Sequence, residues 1–214
     1  DKHPSYAICL CNLASCNFGF GKYQTAINLC AQAMEIQREV FGDKHPSTAQ
    51  SLHNLSLYNG YLGNYQEANR LGTQALEIQR EVLGDKHPDY ATSLSNLASY
   101  ISELGNYHEA IKLGTQALEI QREALGEKHS DYAKSLNNLA QYNNAIGNYQ
   151  EAIRLGTQAL EIQREALGEK HSDYAKSLNN LAQYNNAIGN YQEAIRLGTQ
   201  ALEIQREALG EKHS

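Results

Sequence analysis

The 214-residue chain has no Trp, one Met and three Pro, and its four Cys all fall within the first 30 residues. No apolar run approaches the roughly 18 residues that a membrane-spanning helix needs. No basic segment followed by an apolar one opens the chain, so no secretory signal is expected. Cations are in deficit, with 18 Lys and Arg against 24 Asp and Glu for a net charge of −6. No basic stripe is present to meet a phosphate backbone, which argues against nucleic acid as a partner. The acidity is mild and spread along the chain, and serves solubility. Gly147, Gly156 and Gly168 are too widely spaced for a phosphate-binding loop, and no serine sits in a G-x-S-x-G context.

What the chain has is repetition. Its length is five times 42 plus 4, and residues 113–172 are identical to residues 155–214. A period of this size is the mark of a solenoid or array. The copies run 1–42, 43–84, 85–126, 127–168 and 169–210, and residues 211–214 begin a further connector. Copies four and five are identical, copy three is close, and copy one diverges most. No Pro-, Gly- or Ser-rich linker interrupts them, so residues 1–214 are expected to form a single array.

Each copy carries two helical patterns. In copy four Tyr132, Ala133, Leu136, Leu139, Ala140 and Ile146 follow amphipathic spacing over residues 131–146. Ser130 or Asp131 is the expected cap, and Pro46 and Pro88 replace that Ser in copies two and three. The second pattern begins at Asn148 and predicts a helix over 149–167, roughly 28 Å long. Asn148 and Glu151 have capping-box spacing, repeated as Asn64/Glu67, Asn106/Glu109 and Asn190/Glu193. Gly168 stands just past the last turn, where a left-handed residue is expected. Helix pairs of this kind cannot bury their apolar faces alone and must stack.

The stretch Leu136-Asn137-Asn138-Leu139-Ala140, then Gly147-Asn148-Tyr149, Glu151-Ala152 and Gln158-Ala159-Leu160, resembles a tetratricopeptide repeat. The 42-residue period and the connector from Leu167 to Tyr174 resemble the long-repeat class of kinesin light chains. The resemblance covers every copy. It implies an all-α fold: an α-solenoid of five tandem helix-turn-helix repeats in a right-handed superhelix. Two positions depart from the family pattern, with Asn143 and Gly156 where it has aromatics and Tyr142 one place early. Copies two to five pair Tyr58, Tyr100, Tyr142 and Tyr184 with Gly72, Gly114, Gly156 and Gly198, while copy one has Cys16 and Cys30. A Tyr ring lying over a Gly backbone, within a repeat or between neighbours, would conserve volume.

Candidate chemistry is sparse. His3, His45, His87, His129, His171 and His213 recur once per copy, but a metal site needs three or four ligands converging on one point. A polar residue bonding the start of the next first helix is the reading favoured here, and no metal or cofactor is expected. Cys9, Cys11, Cys16 and Cys30 lack C-x-x-C spacing and are read as buried free thiols of a cytoplasmic protein, with a Cys16–Cys30 disulfide as the alternative. Glu151/Arg154 and Glu161/Arg164/Glu165 read as a solvated face. No enzyme is expected.

The resemblance implies a concave groove lined by the first helices. It places Asn54, Asn96, Lys134, Asn137, Asn138, Gln141, Asn144, Lys176, Asn179, Asn180, Gln183 and Asn186 there as candidates to hold a peptide or protein segment. Asn recurs at one position as Asn12, Asn54, Asn96, Asn138 and Asn180. Asn offers both donors and acceptors, so such a row could bond an extended backbone, although a solvated polar face or bonds to the neighbouring helix would look the same. Only Lys134 and Lys176 are basic, against Ile8, Gln50 and Thr92 in the other copies, which argues against a clamp for a C-terminal carboxylate. The second helix 191–209 would leave an apolar face bare, so end-to-end self-association is expected, with slippage or domain swapping between identical copies. A purely structural or engineered array without a dedicated ligand is the alternative reading.

Overall fold

The computed structural model describes residues 3–210, and of residues 208–210 the backbone alone. Among the described residues there are ten α-helices and no strand. They fall into two compact units, Asp1–Asn106 and Tyr107–Ser214. The first holds α1 (Pro4–Gly19), α2 (Tyr23–Phe41), α3 (Pro46–Tyr61), α4 (Tyr65–Leu83) and α5 (Pro88–Glu103). The second holds α6 (Tyr107–Leu125), α7 (Ser130–Ala145), α8 (Tyr149–Leu167), α9 (Ser172–Ala187) and α10 (Tyr191–Gly210). Within each unit every helix packs on the one before and the one after. Two consecutive helices make one 42-residue copy, so the all-α helix-pair expectation holds. The expected remnant Glu211–Ser214, with His213, lies outside the described residues.

The helix ends correct two expectations. The first helices are capped by histidine, not by Ser130 or Asp131. Nδ1 of His3, His45, His87, His129 and His171 accepts from the backbone N–H of Ser5, Ser47, Asp89, Asp131 and Asp173 at 3.1–3.2 Å. Each of these histidines is extended, with ψ between 135° and 144°, which aims the ring back at the second helical residue. The once-per-copy histidine is thereby explained as a cap.

The capping box, by contrast, does not form at Asn64 or Asn148. Asn64 and Asn148 sit at ψ of 59° and 62°, and their side chains make no cap bond. They donate instead to Oδ1 of Asn59 and Asn143, at 3.3 and 3.0 Å, as Asn190 does to Asn185 at 3.0 Å. Glu67, Glu151 and Glu193 are held by Arg70, Arg154 and Arg196 one turn on. Asn143, standing where the family has an aromatic, is buried and donates to Leu139 O at 2.9 Å. The Asn143–Asn148 pair therefore ties the turn. Gly168 ends α8 at φ 82° and ψ 161°, a positive-φ conformation open to glycine but extended rather than helical.

Between helix pairs the core is built from small residues against leucine. Ala110, Ala117, Ala152 and Ala159 on the second helices are fully buried, as are Leu136 and Leu178 on the first. A Cβ added to Gly114 would lie 3.0 Å from Leu139 and 3.6 Å from Tyr142. One on Gly156 would lie 3.0 Å from Leu181 and 3.5 Å from Tyr184. The expected Tyr-over-Gly contact is thus made between neighbouring copies, with Leu closer than Tyr. Copies one to three vary it. Gly72 meets Ser56 and Leu97, Tyr100 lies over Gly60, and Cys30 joins a cluster with Leu55 and Tyr58.

A side chain at Gly156 must displace Leu181 and Tyr184. Gly156→Val is expected to cost about 1–3 kcal/mol by overpacking, read as a lower urea midpoint. Thr157→Val on the exposed neighbour is expected to stay within about 0.5 kcal/mol. Equal midpoints for the two variants would mean that the junction tolerates volume.

Candidate functional site

The first helices carry an exposed polar face, and none of the twelve candidate residues is buried. In the first unit Asn54 on α3 and Asn96 on α5 are half-buried. Gln50 Nε2 donates to Asn54 Oδ1 at 3.1 Å. Asn96 lines a cleft of about 430 Å³ with Leu57, Tyr61, Tyr65, Tyr100 and Glu103. Burial pushes the Tyr100 phenol up to about 12, so it stays protonated in that wall.

In the second unit Lys134, Asn138, Gln141 and Asn144 share one face of α7, and Lys176, Asn179, Asn180, Gln183 and Asn186 the matching face of α9. Both lysines are held by aspartates one turn back, Lys134 by Asp131 at 3.0 Å and Lys176 by Asp173 at 3.2 Å. Their charge is therefore partly answered on their own helices. Gln183 and Asn186 line a cleft of about 530 Å³ beside Tyr191 and Ile195. Asn96, Asn138 and Asn180 make no side-chain hydrogen bond among the described residues.

Asn137 differs from Asn138. Its Nδ2 donates to Ser177 Oγ on α9 at 2.7 Å, so it bonds the neighbouring helix. The same position bridges copies in the first unit, where Cys11 meets Ser51 at 3.6 Å and His53 Nδ1 meets Ser93 at 2.9 Å. Bonds to the neighbouring helix were an open alternative for the recurring Asn, and they are made one position earlier. The signal in the sequence was a polar or small side chain one place before the recurring Asn, opposite a fixed Ser 40 residues on. A second buried series went unread. Gln37 accepts from Ser51 at 2.6 Å, but the buried Oε1 atoms of Gln79, Gln121 and Gln163 have no partner.

The cysteine expectation is corrected in part. All four thiols are free, but only Cys30 is buried, while Cys9 and Cys16 are exposed and Cys11 is half-buried. Cys9 and Cys16 hold the places of Ser51 and Tyr58, which are buried on α3 where it packs on α2. Burial, then the neighbouring Cys11, pushes the Cys30 thiol up to about 12. It remains a protonated donor to Ser51 O at 3.5 Å. Among the described residues no three His, Cys, Asp or Glu side chains converge on a point.

Burial holds the His53 imidazole below its ordinary value, with Asp89 partly opposing. The unfolded chain therefore takes up the proton first. The stability this site contributes is present above about pH 6.5 and lost as pH falls through the folded value. His53→Asn copies Asn137 and keeps a donor for Ser93. Denaturation at about pH 7.5 and about pH 5 is expected to show a smaller loss for the variant than for the parent. Equal losses would place the pH sensitivity elsewhere.

The tetratricopeptide-repeat sequence profile matches residues 5–81, 62–123, 89–165 and 142–207. Among curated proteins none matches this chain. A crystal structure of nearly identical TPR-like repeats from Podosopora anserina, of a protein assigned as a kinesin light chain, is 32% identical. It aligns with a TM-score of 0.80 over 96% of this chain and 98% of that one. BtubC (BKLC) from P. vanneervenii is 23% identical, with a TM-score of 0.80 over 92% of this chain and 79% of its own. RapI in its apo form is 20% identical, with a TM-score of 0.82 over 97% and 73%. The last two show the fold alone. The profile matches, the 42-residue copies and the helix-pair packing agree, and the chain belongs to the tetratricopeptide-repeat family, among the kinesin light chain-like arrays.

Proposed function

We propose that this chain is a protein-interaction scaffold that holds an extended segment of a partner protein along the exposed face of its first helices. The observation that carries this reading is the row Asn96, Asn138 and Asn180. These amides are half-buried, so they are fixed by their surroundings, yet no described residue bonds them. A half-buried amide with unanswered donors and acceptor suits the backbone of an extended peptide, which offers both in alternation. Repeats of this fold are typically non-catalytic. No described helix is long and apolar enough to cross a membrane. Free thiols fit a cytoplasmic setting.

A second contact is proposed at α10, made by a first helix of another copy of this chain. α8 and α10 share one sequence over residues 149–167 and 191–209. Tyr149, Ile153 and Leu160 are half-buried on α8, which packs against α9. Their counterparts Tyr191, Ile195 and Leu202 are 63%, 69% and 65% exposed. A surface that already fits a first helix in one copy is thus open in the next. Such a contact is heterologous and can continue head to tail.

Peptides selected from a random library on this chain are expected to bind the parent and to lose about two- to tenfold in affinity with Asn138→Ala or Asn180→Ala, the range for one unanswered hydrogen bond. Helicity by circular dichroism should stay unchanged. Undiminished binding would move the site off this face, and failure to select any binder would favour an array without a ligand. For self-association, light scattering is expected to show mass rising with concentration, and Ile195→Glu with Leu202→Glu to hold the chain at monomer mass. A parent that stays monomeric throughout would remove the contact.

A further inference from the structure

A cleft of about 210 Å³ lies between the start of α3, the end of α4 and the start of α5, within the first unit. Its walls are Ala49, Val82 and Leu83. Its polar lining is Gln50, Gln79 and Asp89. Gln79 is 6% exposed, and its buried Oε1 has no partner. The counterpart one copy earlier, Gln37, has its Oε1 answered by Ser51 at 2.6 Å. Ser93 stands in the place of Ser51, but its hydroxyl is engaged by His53 at 2.9 Å. Gln50 gives an amide proton to Asn54.

Asp89 is short of a cation. Its ion-pair contact within 4 Å is His87 Nδ1 at 3.8 Å, a nitrogen that already accepts from the Asp89 backbone N–H at 3.1 Å, and its charge also reaches the His53 imidazole, whose ring nitrogen is taken by Ser93. One turn on stands Thr92, whose hydroxyl donates to Pro88 O. The matching place in the second unit is completed differently. There Asp173 is bound by Lys176 at 3.2 Å, and Lys134 occupies the position of Gln50. Between copies one and two the acid is absent, since Ser47 stands in place of Asp89 and Ile8 in place of Gln50. Of these three places, only the α3–α4–α5 cleft combines a carboxylate, an unanswered buried acceptor and no lysine of its own.

We infer that this cleft receives the side chain of a lysine or arginine from a bound partner segment. The cationic head meets the Asp89 carboxylate, the buried Gln79 amide turns its unanswered Oε1 toward it, and the aliphatic stem lies on Val82 and Leu83. Cationic N–H groups suit this lining, because it offers acceptors and negative charge around an apolar wall. The identity of the donor as a partner residue rests on the scaffold reading, whereas the cation preference of the cleft does not.

The sequence supplies its own reporters, since the chain has two valines. Val82 lines the cleft, and Val40 holds the counterpart position where the acid is missing. Butylguanidinium titrated into valine-methyl-labelled chain is expected to shift Val82 and leave Val40 in place, while neutral N-butylurea moves neither. Asp89→Asn should weaken the titration about tenfold, the factor carried by one charge-assisted hydrogen bond. Thr92→Lys, which supplies the lysine that copy five has, should weaken it as much, with circular dichroism confirming the fold. An absent Val82 shift, parallel Val40 and Val82 shifts, an equal response to N-butylurea, or indifference to both substitutions would overturn the inference. If the butylguanidinium titration fails while Asn138→Ala still weakens a selected peptide, the cleft falls and the peptide-binding face stands. The reverse outcome separates them the other way.

Discussion

From the second copy on, one copy meets the next within each unit where a leucine of a first helix lies on a glycine of the second helix before it. Leu139 rests on Gly114 and Leu181 on Gly156, with Leu97 on Gly72 in the first unit. Glycine in mid-helix costs roughly 1 kcal/mol of propensity. It returns close approach, and that lets the fully buried alanines and leucines around it fill the junction at the density of a protein interior. Where these junctions form, they take up the apolar faces, and the outer faces of α3, α5, α7 and α9 are left polar and set in place. Whatever this chain binds, it binds with what the junction leaves over.

That division runs through a single step in sequence. At one position Cys11, His53 and Asn137 turn to serines of the next copy and bridge the helices. One residue on, Asn96, Asn138 and Asn180 bond nothing described. The first row holds neighbouring first helices in register, and the second stands at the surface that this register creates. The reading of the face as a peptide platform and the reading of its asparagines as structural therefore fall on adjacent positions. Likewise the missing lysine at Thr92 and the present one at Lys176 make two copies with the same backbone differ in chemistry.

The period of 42, the helix pairs and the bounds of α8 were legible in the sequence, because each rests on local spacing and on glycine or proline at helix ends. The cap of the first helix was legible in part: a bond from the recurring histidine to the start of that helix was expected, but Ser130 or Asp131 was offered as the cap itself, and the extended backbone of His129 decides between them. The capping box was misread for a related reason. Asn148 and Glu151 have the right spacing, but Asn143 and Arg154 compete for them from positions that spacing within the motif does not include. The face of the first helices could be listed from the family resemblance, yet Asn137 and Asn138 could not be told apart, because which one faces the neighbour depends on the packing of α7 against α9. The cleft at Gln79 and Asp89 was out of reach altogether. It depends on a bond that Ser93 makes to His53 rather than to Gln79.

The central claim is that a partner's backbone runs along the first helices and is met by their unbonded asparagines. A crystal structure of this chain with a selected peptide tests it most directly. The account predicts peptide N–H and C=O groups within about 3 Å of the Asn96, Asn138 or Asn180 amides, the ordinary hydrogen-bond distance. A peptide seated on the second helices, with those amides still unbonded, would contradict it.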